Sequence, residues 1–335
     1  MTIRRVVRNT FFLSVSQGLA RAIGLFYTIF LARVLGVESF GVYTFTLAFF
    51  YNFIPVADFG IERVVLREMP RTPEKTSFYL VRLLPLRFFL WLGAYFGALA
   101  LGLVLGRSKQ EIFYLAVLGL SLLPYSLTYL IASFQNARER MEYMSLANIA
   151  TIALTAIIGV GFVAVKLSLA WVLFAYVLGN LLVAIFFLAR AGSWQLVLGW
   201  VPDTRFWKEI FSQSWVFAVL VILSVLNLRL SVIMLGILGG AVATGLYGSA
   251  FRFVEAIILL PQALALALFP LSARLFTTDP RRLKSIYKKG LGILFLVSLP
   301  FAFVFIFFPQ MIISLVYGAE YLRAVSVLPV LGLAM

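Results

Sequence analysis

The sequence predicts an all-α fold, a polytopic transmembrane helical bundle, and three observations predict it. Of the 335 residues 63% are hydrophobic and only 12% are charged, about half the charged share of a soluble domain. The mean hydropathy is +1.03. The apolar residues also fall in blocks of roughly 20 or more, long enough as helix to cross a ~30 Å hydrocarbon core, with the basic residues gathered between them.

The blocks place spans at residues 10–32, 40–61, 79–105, 112–134, 144–165, 168–189, 213–239, 242–270 and 288–308, and a tenth begins near Val325. The first follows Arg4, Arg5 and Arg8, as the apolar core of a signal peptide would. The stretch from Thr10 to Leu31 is too long for one, and no small-residue cleavage site follows it, so it reads as a retained span. The tenth is cut at Met335, too short to reach across a bilayer, so the second half of the chain reads as incomplete.

Placing the N-terminus in the cytoplasm puts 20 of the 28 Lys and Arg in cytoplasmic segments and the span ends that adjoin them, Arg82 and Arg87 near the start of the 79–105 block among them. Five lie in outer segments, and three, Arg21, Arg229 and Arg252, lie inside spans. Basic loops stay on the cytoplasmic side. The expectation is therefore a multi-pass protein of the cell (inner or plasma) membrane with a cytoplasmic N-terminus.

The same argument accounts for the net charge of +15, which in a soluble protein would suggest nucleic acid. Here it marks orientation and attraction to anionic headgroups of the membrane lipids, and no nucleic-acid partner is expected. The absence of Cys and His removes thiol nucleophiles, imidazole bases and the usual soft metal ligands. Neither a metal nor another cofactor is expected.

One internal repeat stands out. Gly36, Gly41 and Tyr43, between the first two spans, map onto Gly240, Gly245 and Tyr247, between the seventh and eighth, at a constant offset of 204. Glycines allow the tight reversal that such a short connection needs. The repeat predicts two six-helix lobes related by a pseudo-two-fold axis along the membrane normal, a recurring plan of transporters. Residues 1–200 make the N-terminal lobe, and residues 201–335 make three helices and part of a fourth of the C-terminal lobe.

Charges inside spans are costly and mark candidate sites. Arg21 sits mid-span, ~15 Å from either end at 1.5 Å per residue. It shares a helical face with Ser14, Gln17 and Thr28, either as a tie between helices or as a cation lining a cavity. Arg252, Glu255 and Gln262 share a face of the eighth span. Arg252 and Glu255 are three apart and either neutralise each other, or Glu255 holds Arg252 until an anionic ligand displaces it, or Glu255 is a proton or cation site. Arg229 points away from the face made by Ser224, Asn227 and Ser231. Thr44, Tyr51, Asp58 and Glu62 mark one face of the second span, interrupted by Pro55, with Asp58 and Glu62 expected to pair with Arg63 or Arg67. Ser121, Tyr125, Thr128 and Gln135 line the fourth.

The run through Phe30, Arg33, Gly36, Glu38, Phe40, Gly41 and Tyr43, followed by Asp58, Gly60, Glu62 and Arg63, resembles the polysaccharide biosynthesis proteins. These are the O-antigen-type and lipid-linked oligosaccharide flippases of the multidrug/oligosaccharidyl-lipid/polysaccharide exporter superfamily. The resemblance implies two lobes around a central cavity, working by alternating access, usually as a monomer. It implies an anionic substrate, a sugar chain on polyprenyl pyrophosphate, moved from the cytoplasmic to the outer leaflet. It also implies cationic cavity residues that hold the phosphate, for which Arg21 and Arg252 fit by position and Arg229 less securely, with Gln17 and Glu255 beside them. The rival readings are a drug or cation antiporter of the same superfamily, which would want acidic cavity residues, and a non-transporting scaffold. A membrane glycosyltransferase fits poorly with short outer loops and no His; the protein is not expected to be an enzyme.

Overall fold

The computed structural model describes the chain apart from residues 1–2, 71, 139, 191–200, 335 and most of 259–278, and gives residues 3–14 as backbone only. Gln262 and Arg274 lie outside the described residues, as does the side chain of Ser14. No strand occurs among the described residues.

Seven runs of helix among these residues are long and apolar enough to cross a membrane. One run, Val15–Asp58, would be ~66 Å long as one helix, twice the hydrocarbon core, so it is two spans in succession. The division falls at Gly36 (φ +72°, ψ 169°), the non-helical residue within α1 (Ile3–Tyr51). Gly240, its partner in the repeat, has φ +75°. Both members of the pair thus hold a left-handed backbone that favours glycine.

After α1 come two short helices, α2 (Ile54–Asp58) and α3 (Ile61–Glu68), then α4 (Thr76–Val104), α5 (Lys109–Gly119) and α6 (Leu122–Ala137). The chain continues through α7 (Glu142–Ala164), α8 (Leu169–Arg190), α9 (Thr204–Leu238) and α10 (Gly240–Ile257). It ends with α11 (Pro280–Phe307), α12 (Pro309–Tyr317), a 3-10 segment (Ala319–Ser326) and α13 (Val327–Leu333).

These boundaries depart from the hydropathy blocks where capping, not apolarity, sets the helix end. Helix α9 begins nine residues before the expected 213 because the Asp203 side chain accepts the Phe206 N–H at 3.0 Å. Helix α11 begins at Pro280 because Asp279 caps the Arg282 N–H at 2.9 Å. The expected fourth span is split into α5 and α6 at Leu120–Ser121. The expected second span is broken on both sides of α2. Arg82 and Arg87, counted with a cytoplasmic segment, lie within α4. Helix α12 was not expected at all.

The chain divides into two compact units, residues 1–27 with 42–241 and residues 28–41 with 242–335. In the first unit α6, α7 and α8 pack on one another, α4 packs on α2, α5 and α6, and α9 packs on α2, α3 and α4. One core cluster joins Ile61, Val64, Leu83, Leu130 and Ile210; another joins Ile131, Ala147, Val183 and Phe187. Small residues set the closest approaches, as is usual between membrane helices. A Cβ on Gly179 of α8 would come within 3.0 Å of the Thr155 backbone nitrogen of α7.

In the second unit the Gly36 turn is held by side chains distant in sequence. Arg33 donates from Nε to the Val316 carbonyl at 2.6 Å and from Nη2 to the Leu315 carbonyl, closing the C-terminal end of α12. The buried Tyr321 hydroxyl donates to the Ala32 carbonyl at 2.8 Å, and the Tyr321 ring meets Phe40 edge-on at 6.1 Å. A Cβ on Gly245 would run into the Val37 carbonyl oxygen.

Candidate functional site

Within the first unit, a cavity of about 350 Å³ lies among the end of α1 and helices α2, α3, α4, α6 and α9. The chain builds it by breaking a helix twice. Pro55 stands in the first turn of α2, where its missing N–H costs nothing. Phe59 (φ +49°) and Gly60 (φ +73°) then stop that helix with two successive left-handed residues. At Gly60 a Cβ would lie 2.7 Å from the Ser214 carbonyl oxygen and 2.9 Å from the Ala218 nitrogen. Only glycine lets α9 cross this turn. Farther along α9, Val221, Val225 and Arg229 follow at four-residue spacing and so share the face that lines the cavity.

Two carboxylates and three guanidinium groups line it. Arg87 is the most enclosed, 1% exposed. Its Nη2 lies 2.5 Å from Asp58 Oδ1, and its Nη1 donates to the Ala57 carbonyl at 3.3 Å. The Nη2 contact is an ion pair without hydrogen-bond geometry, and Nε has no hydrogen-bond partner. Asp58 also accepts the Glu62 N–H, at 3.4 Å. Glu62 lies beyond the apolar run that ends at Asp58. Burial first, and the charge of Asp58 second, push its carboxyl up to about 7, against the opposing pull of Arg87 and Arg63.

The remaining wall is aromatic. The Arg229 guanidinium stands 5.1 Å from the centroid of the Tyr51 ring, a cation–π distance. Tyr125 and Tyr129 of α6 stack with centroids 4.3 Å apart, and the Tyr129 hydroxyl donates to Asn148 Oδ1 at 2.6 Å.

The expected site residues divide. Arg229 lines this cavity while Ser224, Asn227 and Ser231 are exposed, the division that helical spacing implied. Tyr51, Asp58 and Glu62, read as one face, converge on it, and Thr44 does not. Gln17 (half-buried) and Arg21 (exposed) do not line it. In the second unit Arg252 pairs with Glu255, Nη1 to Oε2 at 2.6 Å.

One expectation is corrected. Asp58 pairs with Arg87, not with Arg63 or Arg67. Arg67 turns outward, to Glu68 and Gln213, each at 2.7 Å. Sequence reasoning missed Arg87 because it lies close to the N-terminal end of an apolar block and was assigned to the basic segment before it. Its apolar flanks, Leu86 and Phe88, carried the available signal that it sits in helix, against the helix-breaking tendency of Pro85.

The comparisons with known proteins agree with this geometry. The chain matches the polysaccharide biosynthesis protein family over residues 6–276. No curated protein matches it. Among solved structures, a multidrug-resistance MATE-family transporter of the MOP superfamily, inward-facing, superposes with a TM-score of 0.75 at 17% identity, over 94% of this chain and 78% of that one. A MOP superfamily transporter from Pyrococcus furiosus, described by the reverse polarity of its binding pocket, superposes with a TM-score of 0.65 at 16% identity, over 96% and 76%. The MATE multidrug transporter DinF-BH gives 0.61 at 13% identity, over 94% and 75%. The fold is that of the MOP transporters. A multi-pass membrane protein, the chain belongs to the polysaccharide biosynthesis protein family.

Proposed function

We propose that the protein is a transporter that flips a polyprenyl-pyrophosphate-linked oligosaccharide from the cytoplasmic to the outer leaflet by alternating access, for polysaccharide export. The observation that carries this reading is the charged cavity lined by Asp58, Glu62, Arg63, Arg87 and Arg229 within an otherwise apolar bundle. Charges at membrane depth are expensive and persist where they handle a polar cargo. Sugars and pyrophosphate cannot cross hydrocarbon unaided, whereas a polyprenyl tail can remain in lipid. Membership of the polysaccharide biosynthesis protein family supports a glycan cargo.

In this reading Arg21 and Arg252, with Gln17 and Glu255 beside them, serve the pyrophosphate. Arginine suits that role because it stays charged and binds phosphate oxygens in pairs. Glu255 holds Arg252 until the anion takes its place. Residues 1–200 and 201–335 belong to two lobes that alternate. The protein works as a monomer in the cell membrane with its N-terminus in the cytoplasm, transporting rather than catalysing.

The test is glycan flipping in proteoliposomes, read as lipid-linked oligosaccharide made accessible to an added glycosidase. Wild type is expected to flip and Arg21→Ala/Arg252→Ala to lose it while remaining folded. Undiminished flipping by the double variant would make both arginines structural ties. The acids Asp58 and Glu62 favour a second reading, drug or cation antiport. Cation efflux coupled to proton uptake, without glycan flipping, would establish it.

A further inference from the structure

We propose that the cavity of the first unit is a sugar-ring subsite, built on Tyr125 and Tyr129, which takes the glycan part of the cargo and not its pyrophosphate. This rests on the flippase reading above. Tyr125 and Tyr129 are four residues apart on α6 and therefore on one helical face. Their rings lie at 28° to each other, and the hydroxyl of the second is anchored on Asn148. The pair is a fixed aromatic wall.

A pyranose has faces of C–H groups and a rim of hydroxyls. The slightly positive C–H groups pack on the electron-rich face of an aromatic ring, the attraction that governs edge-to-face aromatic pairs. The hydroxyls, once stripped of water, need both acceptors and donors. The cavity offers acceptors in Asp58 and Glu62 and donors in Arg229 beside the wall.

Pyrophosphate fits this lining poorly. Its diester carries two negative charges, which the Asp58 carboxylate repels, and the most enclosed of the three guanidinium groups, Arg87, is already held against Asp58. A mixed-sign lining favours a neutral ligand rich in hydroxyls. Size points the same way. About 350 Å³ sits at the low end of the ~300–1,000 Å³ of small-molecule sites, room for sugar rings and not for a whole lipid-linked glycan.

The experiment uses the full-length protein in lipid nanodiscs and two probes, decaprenyl pyrophosphate and decaprenyl-pyrophosphoryl N-acetylglucosamine. Wild type is expected to bind the sugar-bearing probe more tightly. Tyr125→Leu/Tyr129→Leu is expected to weaken that probe about tenfold and leave the sugar-free probe unchanged, while Tyr125→Phe/Tyr129→Phe keeps most of the affinity. Equal weakening of both probes, or no weakening, overturns the subsite and leaves the flippase reading standing. Wild type that binds neither probe overturns both. Should the leucine pair fail to fold, nitration of wild type by tetranitromethane decides. The sugar-bearing probe is expected to protect Tyr125 and Tyr129 more than the sugar-free probe does, and equal protection overturns the assignment.

Discussion

Arg87 Nη2 lies 2.5 Å from Asp58 Oδ1, joining α4 to the short helix α2, with the arginine side chain 1% exposed and the aspartate 25%. Removing one member of a buried pair leaves the other charged and unpaired, at a cost of about 3–5 kcal/mol. Arg87→Met and Asp58→Asn are each expected to lower the unfolding free energy in detergent by that order, read as a drop in the thermal midpoint. The double variant strands neither charge and should be more stable than the two losses summed. Strict additivity in a double-mutant cycle would show that the pair does not couple the helices.

Gly245 supports a second prediction. It lies within α10, where alanine would ordinarily stabilise a helix by roughly 1 kcal/mol. Its added Cβ, however, meets the backbone of the Gly36 turn, at the Val37 carbonyl and 3.2 Å from the Gly41 nitrogen. Backbone cannot step aside as a side chain can, so Gly245→Ala is expected to destabilise by about 1–3 kcal/mol through overpacking. Gly161, also helical, has nothing within 4 Å, and Gly161→Ala should be neutral or stabilising. Equal midpoints for the two variants would deny the close approach.

Glu62 sets a pH dependence. Its carboxyl is raised to about 7, chiefly by burial, so the folded protein favours the neutral acid. The associated stability is fully present below the ordinary carboxylate range and is lost as the pH rises through about 7. The midpoint of wild type should therefore fall between about pH 4.5 and pH 7 and level off above that, and Glu62→Gln, neutral throughout, should flatten that fall. A midpoint profile that Glu62→Gln leaves unaltered would assign the dependence elsewhere.

The parts of this molecule legible in its sequence are those written locally. Span positions follow from apolar blocks, and the direction of Arg229 follows from its spacing against Ser224, Asn227 and Ser231. The face of Tyr51, Asp58 and Glu62 was also readable, because four- and seven-residue spacing survives the break at Pro55. Partners fixed by tertiary packing were not readable. Asp58 had Arg63 and Arg67 nearby in sequence, yet the left-handed residues Phe59 and Gly60 turn α3 and present Asp58 to α4. Helix α12 escaped notice because nine residues cannot span a bilayer and hydropathy alone does not separate them from the end of α11.

Arg33 supports the last prediction. A helix leaves its final carbonyls without partners, and Arg33 supplies two donors to those of α12, at Leu315 and Val316. Its planar fork reaches two adjacent acceptors together, whereas a lysine ammonium is a point charge on a flexible stem. Arg33→Lys keeps the charge and leaves the topology signal intact, so any effect isolates the geometry. Charge-assisted hydrogen bonds contribute about 1.5–3 kcal/mol each, and part of that loss should appear locally. Amide hydrogen exchange is expected to quicken at Tyr317 and Gly318, where α12 ends, and to stay unchanged in α7 and α8. Tyr321→Phe, which removes the neighbouring hydrogen bond to Ala32, should loosen the same turn by about 1 kcal/mol. Exchange that quickens uniformly along the chain would mean that Arg33 supports the protein as a whole rather than closing this one helix.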